Sequence, residues 1–597
     1  MTAETTRRDH WVAFVLLTVG IMVLLAGLWP HPGQVVLGHP LGEAYGHVWM
    51  QWLLERAVRS GSAFFGATDV VLLEPIWVMP TDPLTRLASL PVSLALGRVV
   101  AHNVAVAVLL ALGAGGLAVV ARRLGAPPVS AAIGALFFIW SPALLGFAAD
   151  GRVDSLGICW LPLLTLAWMR VVERPTLRRG LLLGLVAAAV PLAGLNHAIV
   201  ALIAGLLPTG FVMVRDRSCV RPLLVGAIGG ALSAGLIVAL LLHVEGNDPG
   251  RLEQLSNPEG RSVLSFMTAA DIQDRHLADL WVGAARLHQS ADAFSWWMMP
   301  EAVTELGHTR LATKRLTVQS YAPGGFWRLP VIAWMVALIG LARQPRAIAP
   351  LLGGAALAHV LSLGYGFTHT LPFSWDQTFV YLAPAVLWDS VPVLGRFNNY
   401  GLFGAVAAMA LGVAVARTLS GLPRPRTIGA LVLAAWTVEV MAGPVPLPID
   451  TSRATLPAPM LDTLQSVDPD RGVVVFPMSR DVSFLLQSWH EKPSLLRFRL
   501  KAKTKPKVKH GSGMLADPTG TATHLAQVAM GKQGPKERDV ERLGKADVGA
   551  VVSLPHLVPE GSNAPYHQRL QSLLGPPTWA GEQGTVWLIP RVEHGNR

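Results

Sequence analysis

Cysteine is nearly absent. Cys159 and Cys219 are the only two among 597 residues, which leaves no disulfide framework and no thiolate metal cluster. Charge is scarce as well: 15% of residues are charged, against about 25% in a soluble protein. No Walker loop, Gly-x-Ser-x-Gly elbow, metal motif or internal repeat occurs. The motifs therefore give no reason to expect a metal or a cofactor. What the chain has in quantity is apolar residues, 52% of the total, with a mean hydropathy of +0.44. This is the composition of a polytopic membrane protein with a soluble part attached.

Apolar runs of roughly spanning length lie at 11–29, 101–121, 128–146, 155–169, 180–194, 197–214, 222–243, 329–342, 347–364, 401–416 and 427–444, predicting about eleven transmembrane helices. Residues 87–97 are apolar but short and read as re-entrant or interfacial. The formal charge of +11 comes largely from arginines in the short connections: Arg7 and Arg8, Arg122 and Arg123, Arg170 to Arg179, Arg215 to Arg221, Arg343 and Arg346, Arg417 to Arg426. That distribution is a topology signal rather than a nucleic-acid surface. It predicts a cytoplasmic N-terminus kept as an anchor. The loops 30–100, 147–154, 244–328 and 365–400 are then expected outside, with everything after about 445.

Two domains are expected: a transmembrane domain over 1–444 and an extracytoplasmic α/β domain over 445–597. Pro444, Pro446 and Pro448 make a stiff linker. Short β-branched runs at 472–477, 548–552 and 585–589 predict strands, with helical stretches between them. The basic run from Arg497 to Lys509 reads as a solvated loop or as a surface for anionic headgroups.

The stretch 38–60 predicts a helix lying flat on the bilayer. Glu43, His47, Met50 and Leu54 share one face, while Tyr45, Trp49, Trp52 and Arg56 share the other, an aromatic face suited to the interface. Glu43 either complements the positive end of that helix or acts as a base. Other polar groups gather at the outer membrane edge: Asp150, Arg152 and Asp154 in one turn, His197 after Asn196 in another, and Asp292 in a loop with Trp296 and Trp297. Each has an ordinary explanation as a polar turn or interfacial loop, but all fall on one side.

The order of these features resembles the GT-C superfamily of polyprenol-phosphate-sugar-dependent glycosyltransferases, in particular its bacterial YfhO-type branch. The resemblance runs over Gly42-Glu43 and Trp49-Met50-Gln51-Trp52, the Pro-rich stretch from Leu73 to Leu84, Ala121 to Gly125, Trp140-Ser141-Pro142, Trp160 to Leu163, and Leu387–Val393 leading to Arg396. It departs from the family in carrying Glu43 where Asp is usual and in having Arg396 as the single basic residue of its loop.

The resemblance implies transfer of a sugar from a polyprenyl-phosphate donor to an envelope lipid, glycan or protein acceptor, at the outer face of a bacterial inner membrane. Glu43 would be the base, with His47 orienting it or binding acceptor. Arg152 or Arg396 would hold the phosphate, and Asp150, Asp154, His197 and Asp292 would line the substrate site. The bilayer itself is an expected partner, and nucleic acid is not. The rival reading is an inactive GT-C-like scaffold or a transporter for envelope polymers. Scarce mid-span charge weakens the transporter.

Overall fold

The computed structural model describes residues 3–29, 31–38, 43–61, 66–68, 76–78, 82–247, 330–362, 366–370, 377–381, 401–441, 447–476, 480–493, 525, 528, 538–554 and 563–592. Asp292, Arg396 and the basic run 497–509 lie outside them.

The chain begins with helix α1 (Ala3–Leu24) and a short strand β1 (Val35–Leu37), then helix α2 (Ala44–Ser60) and a hairpin of β2 (Gly66–Thr68) and β3 (Ile76–Val78). Helices α3 (Pro83–Leu96), α4 (Arg98–Arg123), α5 (Pro128–Ile139), α6 (Pro142–Ala149), α7 (Val153–Leu156), α8 (Leu161–Glu173), α9 (Leu177–Ala193), α10 (Leu195–Arg215) and α11 (Val220–Asn247) follow. After them come α12 (Val331–Arg343), α13 (Pro345–Ser362), a hairpin of β4 (Gly366–Thr370) and β5 (Gln377–Tyr381), α14 (Gly401–Ser420) and α15 (Pro425–Met441).

Among the described residues, four helical stretches are long and apolar enough to cross a bilayer: Arg98–Arg123, Val153–Glu173, Arg217–Leu240 and Leu402–Ser420. Two bent pairs raise the number to six. The other helices behind the expected count of about eleven fall short in length or apolarity, so that count stays an expectation. Leu202, Phe211 and Leu232 point outward from these helices, each more than 60% exposed, as side chains facing lipid tails would.

One bend has a readable cause. Pro142 cannot continue the hydrogen-bond ladder of α5, and it disfavours helical backbone at Ser141. The chain turns 51° there, and Ser141 caps α6 by accepting from the Leu144 amide at 3.4 Å. This break leads α6 into the turn 150–152. The largest apolar cluster joins α1, α4, α5, α6, α8, α12, α13 and α14. At one end of these helices the basic connections meet: Arg426 pairs with Asp9, Arg122 faces His10 at 3.5 Å, and Arg123 reaches Glu173 at 2.5 Å.

The C-terminal part holds β6 (Thr451–Arg453), α16 (Ala458–Gln465), β7 (Gly472–Phe476), α17 (Arg480–His490), α18 (Arg538–Lys545), β8 (Val548–Ser553), α19 (Asn563–Leu574), β9 (Trp579–Gly581) and β10 (Gly584–Leu588). Its sheet runs β7-β8-β10-β9, with β7 and β8 parallel and the remaining pairs antiparallel. β7 and β8 are buried along their whole length, which fits their valine-rich sequences with no charged residue.

This part is tied to the first loop. β6 pairs antiparallel with β1, and Ala44, Tyr45 and Val48 of α2 belong to the same apolar cluster as Val473, Val475, Leu485 and Leu486. The expectation that Trp49 and Trp52 point toward lipid or the membrane core is corrected here. Both are 2% exposed, and their indole N–H groups donate to Gln487 at 2.8 Å and to Glu491 at 3.3 Å, at the end of α17. An aromatic stripe suits a protein partner as well as an interface, and here α17 supplies it.

Candidate functional site

Two segments build the site, and glycines let them touch. Gly38 has φ +119° and Gly151 has φ +70°, backbone that side chains rarely adopt. A Cβ on Gly151 would collide with Ala44, and one on Gly38 with the backbone of Gly151. Through this close approach the amide of Glu43 donates to the carbonyl of Asp150 at 2.8 Å. The start of α2 is thereby fixed against the turn carrying Arg152 and Asp154.

Glu43 is the residue before α2, but its carboxylate makes no capping hydrogen bond. It turns instead to Arg152, whose Nε lies 3.6 Å from Glu43 Oε2 and 4.0 Å from Asp154 Oδ1. The Arg152 side chain is 13% exposed and that of Glu43 40%, so the carboxylate lies at the open edge of the cluster. Burial alone would lower the Arg152 pKa, but Glu43, Asp154 and Asp150 outweigh it and push it up. The guanidinium is therefore a fixed positive charge, mostly screened from water.

His47 sits one turn into α2 and is buried. Its Nδ1 meets the guanidinium of Arg86, and Arg86 Nη1 also donates to the His47 carbonyl at 2.8 Å. A guanidinium only donates, so Nδ1 accepts and a neutral imidazole carries its proton on Nε2. That nitrogen lies 3.4 Å from Asp154 Oδ1. His47 thus turns to Asp154, where the sequence suggested that it orients Glu43. Asp154 Oδ1 also accepts from the Ser155 amide at 2.7 Å.

Arg86 and Asp82 are the residues that sequence reasoning did not select for the site. Asp82 precedes α3 and pairs with Arg86 at 2.9 Å, both almost fully buried. An acid just before a helix followed by an arginine four residues on was the available signal. Below them Gln51 meets Ser89 at 3.2 Å, and Glu55 meets Ser93. His47, Gln51 and Glu55 recur at four-residue spacing, so this polar face of α2 is matched rung by rung by α3.

The remaining candidates fall as follows. Asp150 is 4% exposed, ends α6 and contributes its carbonyl to Glu43 and its charge to Arg152. His197 is 2% exposed and packs against Gly157 and Gly194, with Nε2 3.3 Å from the Ser155 carbonyl. It therefore stands behind Asp154. Glu43, His47 and Asp154 offer two oxygens and one nitrogen, all within 4.8 Å of one another, and could together hold a divalent cation. No sequence motif announces this set, because Asp154 comes from a different loop. Arg152 already places positive charge against both carboxylates.

No family model matches the chain, and no curated protein matches it. Solved structures do. The chain is similar to the arabinofuranosyltransferase AftD from Mycobacteria at 16% identity and a TM-score of 0.56, over 98% of this chain and 40% of AftD. It is also similar to the oligosaccharyltransferase AglB from Archaeoglobus fulgidus, solved with an inhibitory peptide and a dolichol-phosphate. There the identity is 11% and the TM-score 0.50, over 93% of this chain and 70% of AglB. The likeness to these two transferases is one of fold. The chain spans about 40% of the length of AftD.

Proposed function

We propose that the protein is a membrane glycosyltransferase that moves a sugar from a polyprenyl-phosphate donor to an envelope lipid, glycan or protein acceptor on the outer face of a bacterial inner membrane. The observation that carries this reading is the meeting of Glu43, His47, Arg152 and Asp154 at one end of a GT-C fold. AglB, with the same fold, holds a dolichol-phosphate in its structure, which supports a lipid phosphate as the donor class.

In this reading Glu43 takes the proton of an acceptor hydroxyl. The acceptor oxygen then bonds to the anomeric carbon. The bond from that carbon to the phosphate oxygen breaks, and polyprenyl phosphate leaves with the electron pair. Arg152 lies beside the carboxylate and matches phosphate geometry, so it stabilises the leaving charge. His47, held by Arg86, keeps Asp154 in place beneath it. Arg396 is the alternative to Arg152 for the phosphate, and Asp292 would be a further substrate contact.

The test uses membranes containing the full chain and a radiolabelled polyprenyl-phosphate sugar. Glu43→Gln keeps shape but cannot take a proton, and transfer should fall by about 10²- to 10⁴-fold with expression unchanged. Arg152→Ala should instead weaken use of the donor. Equal transfer by wild type and Glu43→Gln would remove the catalytic role. No transfer by wild type with any of several donors would favour the scaffold reading, which needs only the fold.

A further inference from the structure

We propose that the arginine-rich end of the helix bundle carries a binding site for one anionic phospholipid, separate from the cluster around Glu43. A cavity of about 350 Å³ lies among α4, α8, α13 and α14. Val120, Leu124, Met169, Val172, Met409 and Val413 form most of its wall, and Thr165 and Glu173 are its polar members. Its volume is near the lower end of the roughly 300–1,000 Å³ typical of ligand sites, room for a stretch of acyl chain.

Just beyond one end of this slot the chain is basic. α14 continues one turn beyond Val413 to Arg417, and four residues apart the two share a face. The Arg417 guanidinium lies against Gly125, so closely that a Cβ there would overlap it, and Gly125 directly follows the wall residue Leu124. Arg417 is half-buried, and its guanidinium has no hydrogen bond or ion pair among the described residues. Its neighbours differ: Arg123 is paired with Glu173, and Arg122 faces His10. A half-buried, unpaired guanidinium lacks the partner that would offset its lost hydration.

An acyl-sized slot with such a charge just beyond its end fits an amphiphile with an anionic head. A membrane lipid is the occupant because the slot lies between two of the helices long enough to span, α4 and α14. A phosphodiester offers oxygens that a guanidinium matches. A zwitterionic lipid brings its own cation to the same place and gains less. The basic connections assign this end to the cytoplasmic leaflet, the side where anionic lipid is attracted by arginine.

The experiment reconstitutes the full chain in nanodiscs of phosphatidylcholine with or without phosphatidylglycerol. Native mass spectrometry then reads the lipid that stays bound. Wild type should retain phosphatidylglycerol in preference, and Arg417→Gln should lower that preference about fivefold, the worth of one arginine near a lipid surface. Arg417→Lys should keep part of it, and Val413→Phe, which fills the slot, should lose retention. Arg343→Gln, at an exposed arginine that does not line the slot, should change nothing. Equal retention of both lipids by wild type, an unchanged preference in Arg417→Gln, or an equal loss in Arg343→Gln would each overturn the site.

Discussion

Gly151 shows how much of the site rests on one missing side chain. At φ +70° a Cβ is strained, and at Gly151 it would also overlap Ala44. Gly151→Ala is therefore expected to cost about 1–2 kcal/mol in backbone strain and about 1–3 kcal/mol more in overpacking. Part of that strain would be relieved by moving the start of α2 off the turn, parting Glu43 from Arg152. A lowered thermal midpoint with transfer reduced more than proportionally would bear this out. An unchanged midpoint would show that the contact is not tight. Arg86 acts at the same scale by a different route. Arg86→Ala leaves Asp82 buried without its cation, a change that typically costs about 3–5 kcal/mol, and releases His47 from one side. Circular dichroism melts in detergent would read the loss.

At the scale of elements, α2 is the piece that couples the two parts of the chain. Its polar face of His47, Gln51 and Glu55 meets α3, and its aromatic face meets α17. The amphipathic pattern was legible in the sequence, and so were the two faces. What the pattern could not reveal was the partner: indole rings at helical spacing satisfy either a lipid interface or a protein groove, and only tertiary structure brings Gln487 and Glu491 within reach. The same limit applies to the site. Glu43 and His47 share a helix face, so their proximity could be read directly. Arg152 and Asp154 could be placed only at the same membrane edge, because Gly38 and Gly151 act through space rather than through spacing. Trp49→Ala removes a fully buried indole and its hydrogen bond to Gln487, and should cost about 3–5 kcal/mol, much of it from the docking of α17. Hydrogen exchange should then rise in 480–490 and in 472–476 while the buried helices α5 and α14 stay protected. Exchange unchanged in α17 would mean that α2 does not hold it.

Across the whole molecule, the joint between the membrane helices and the C-terminal sheet is expected to weaken in acid. His490 ends α17, next to the residue that receives Trp52, and is 2% exposed. Its Nδ1 accepts from the Lys492 amide at 3.0 Å, and its Nε2 has no hydrogen-bond partner among the described residues. Burial, with a smaller contribution from the Lys492 charge, pushes its pKa down from 6.5 to about 3. In the unfolded chain the imidazole takes up a proton below about pH 6.5, whereas the folded chain resists until about pH 3. The unfolded state therefore binds more protons between those values, so stability is full above the upper one and declines as pH falls toward the lower. Each pH unit in that window is worth at most about 1.4 kcal/mol from this residue, roughly 2 kcal/mol by pH 5. His490→Gln keeps a neutral polar group that does not titrate. Denaturation of wild type and variant compared at several pH values should give parallel behaviour above about pH 6.5. Below it the wild type should lose more stability than the variant, by up to that amount. The difference cancels the carboxylates that titrate in both proteins, so parallel curves through the whole range would show that His490 is protonated without disturbing the joint.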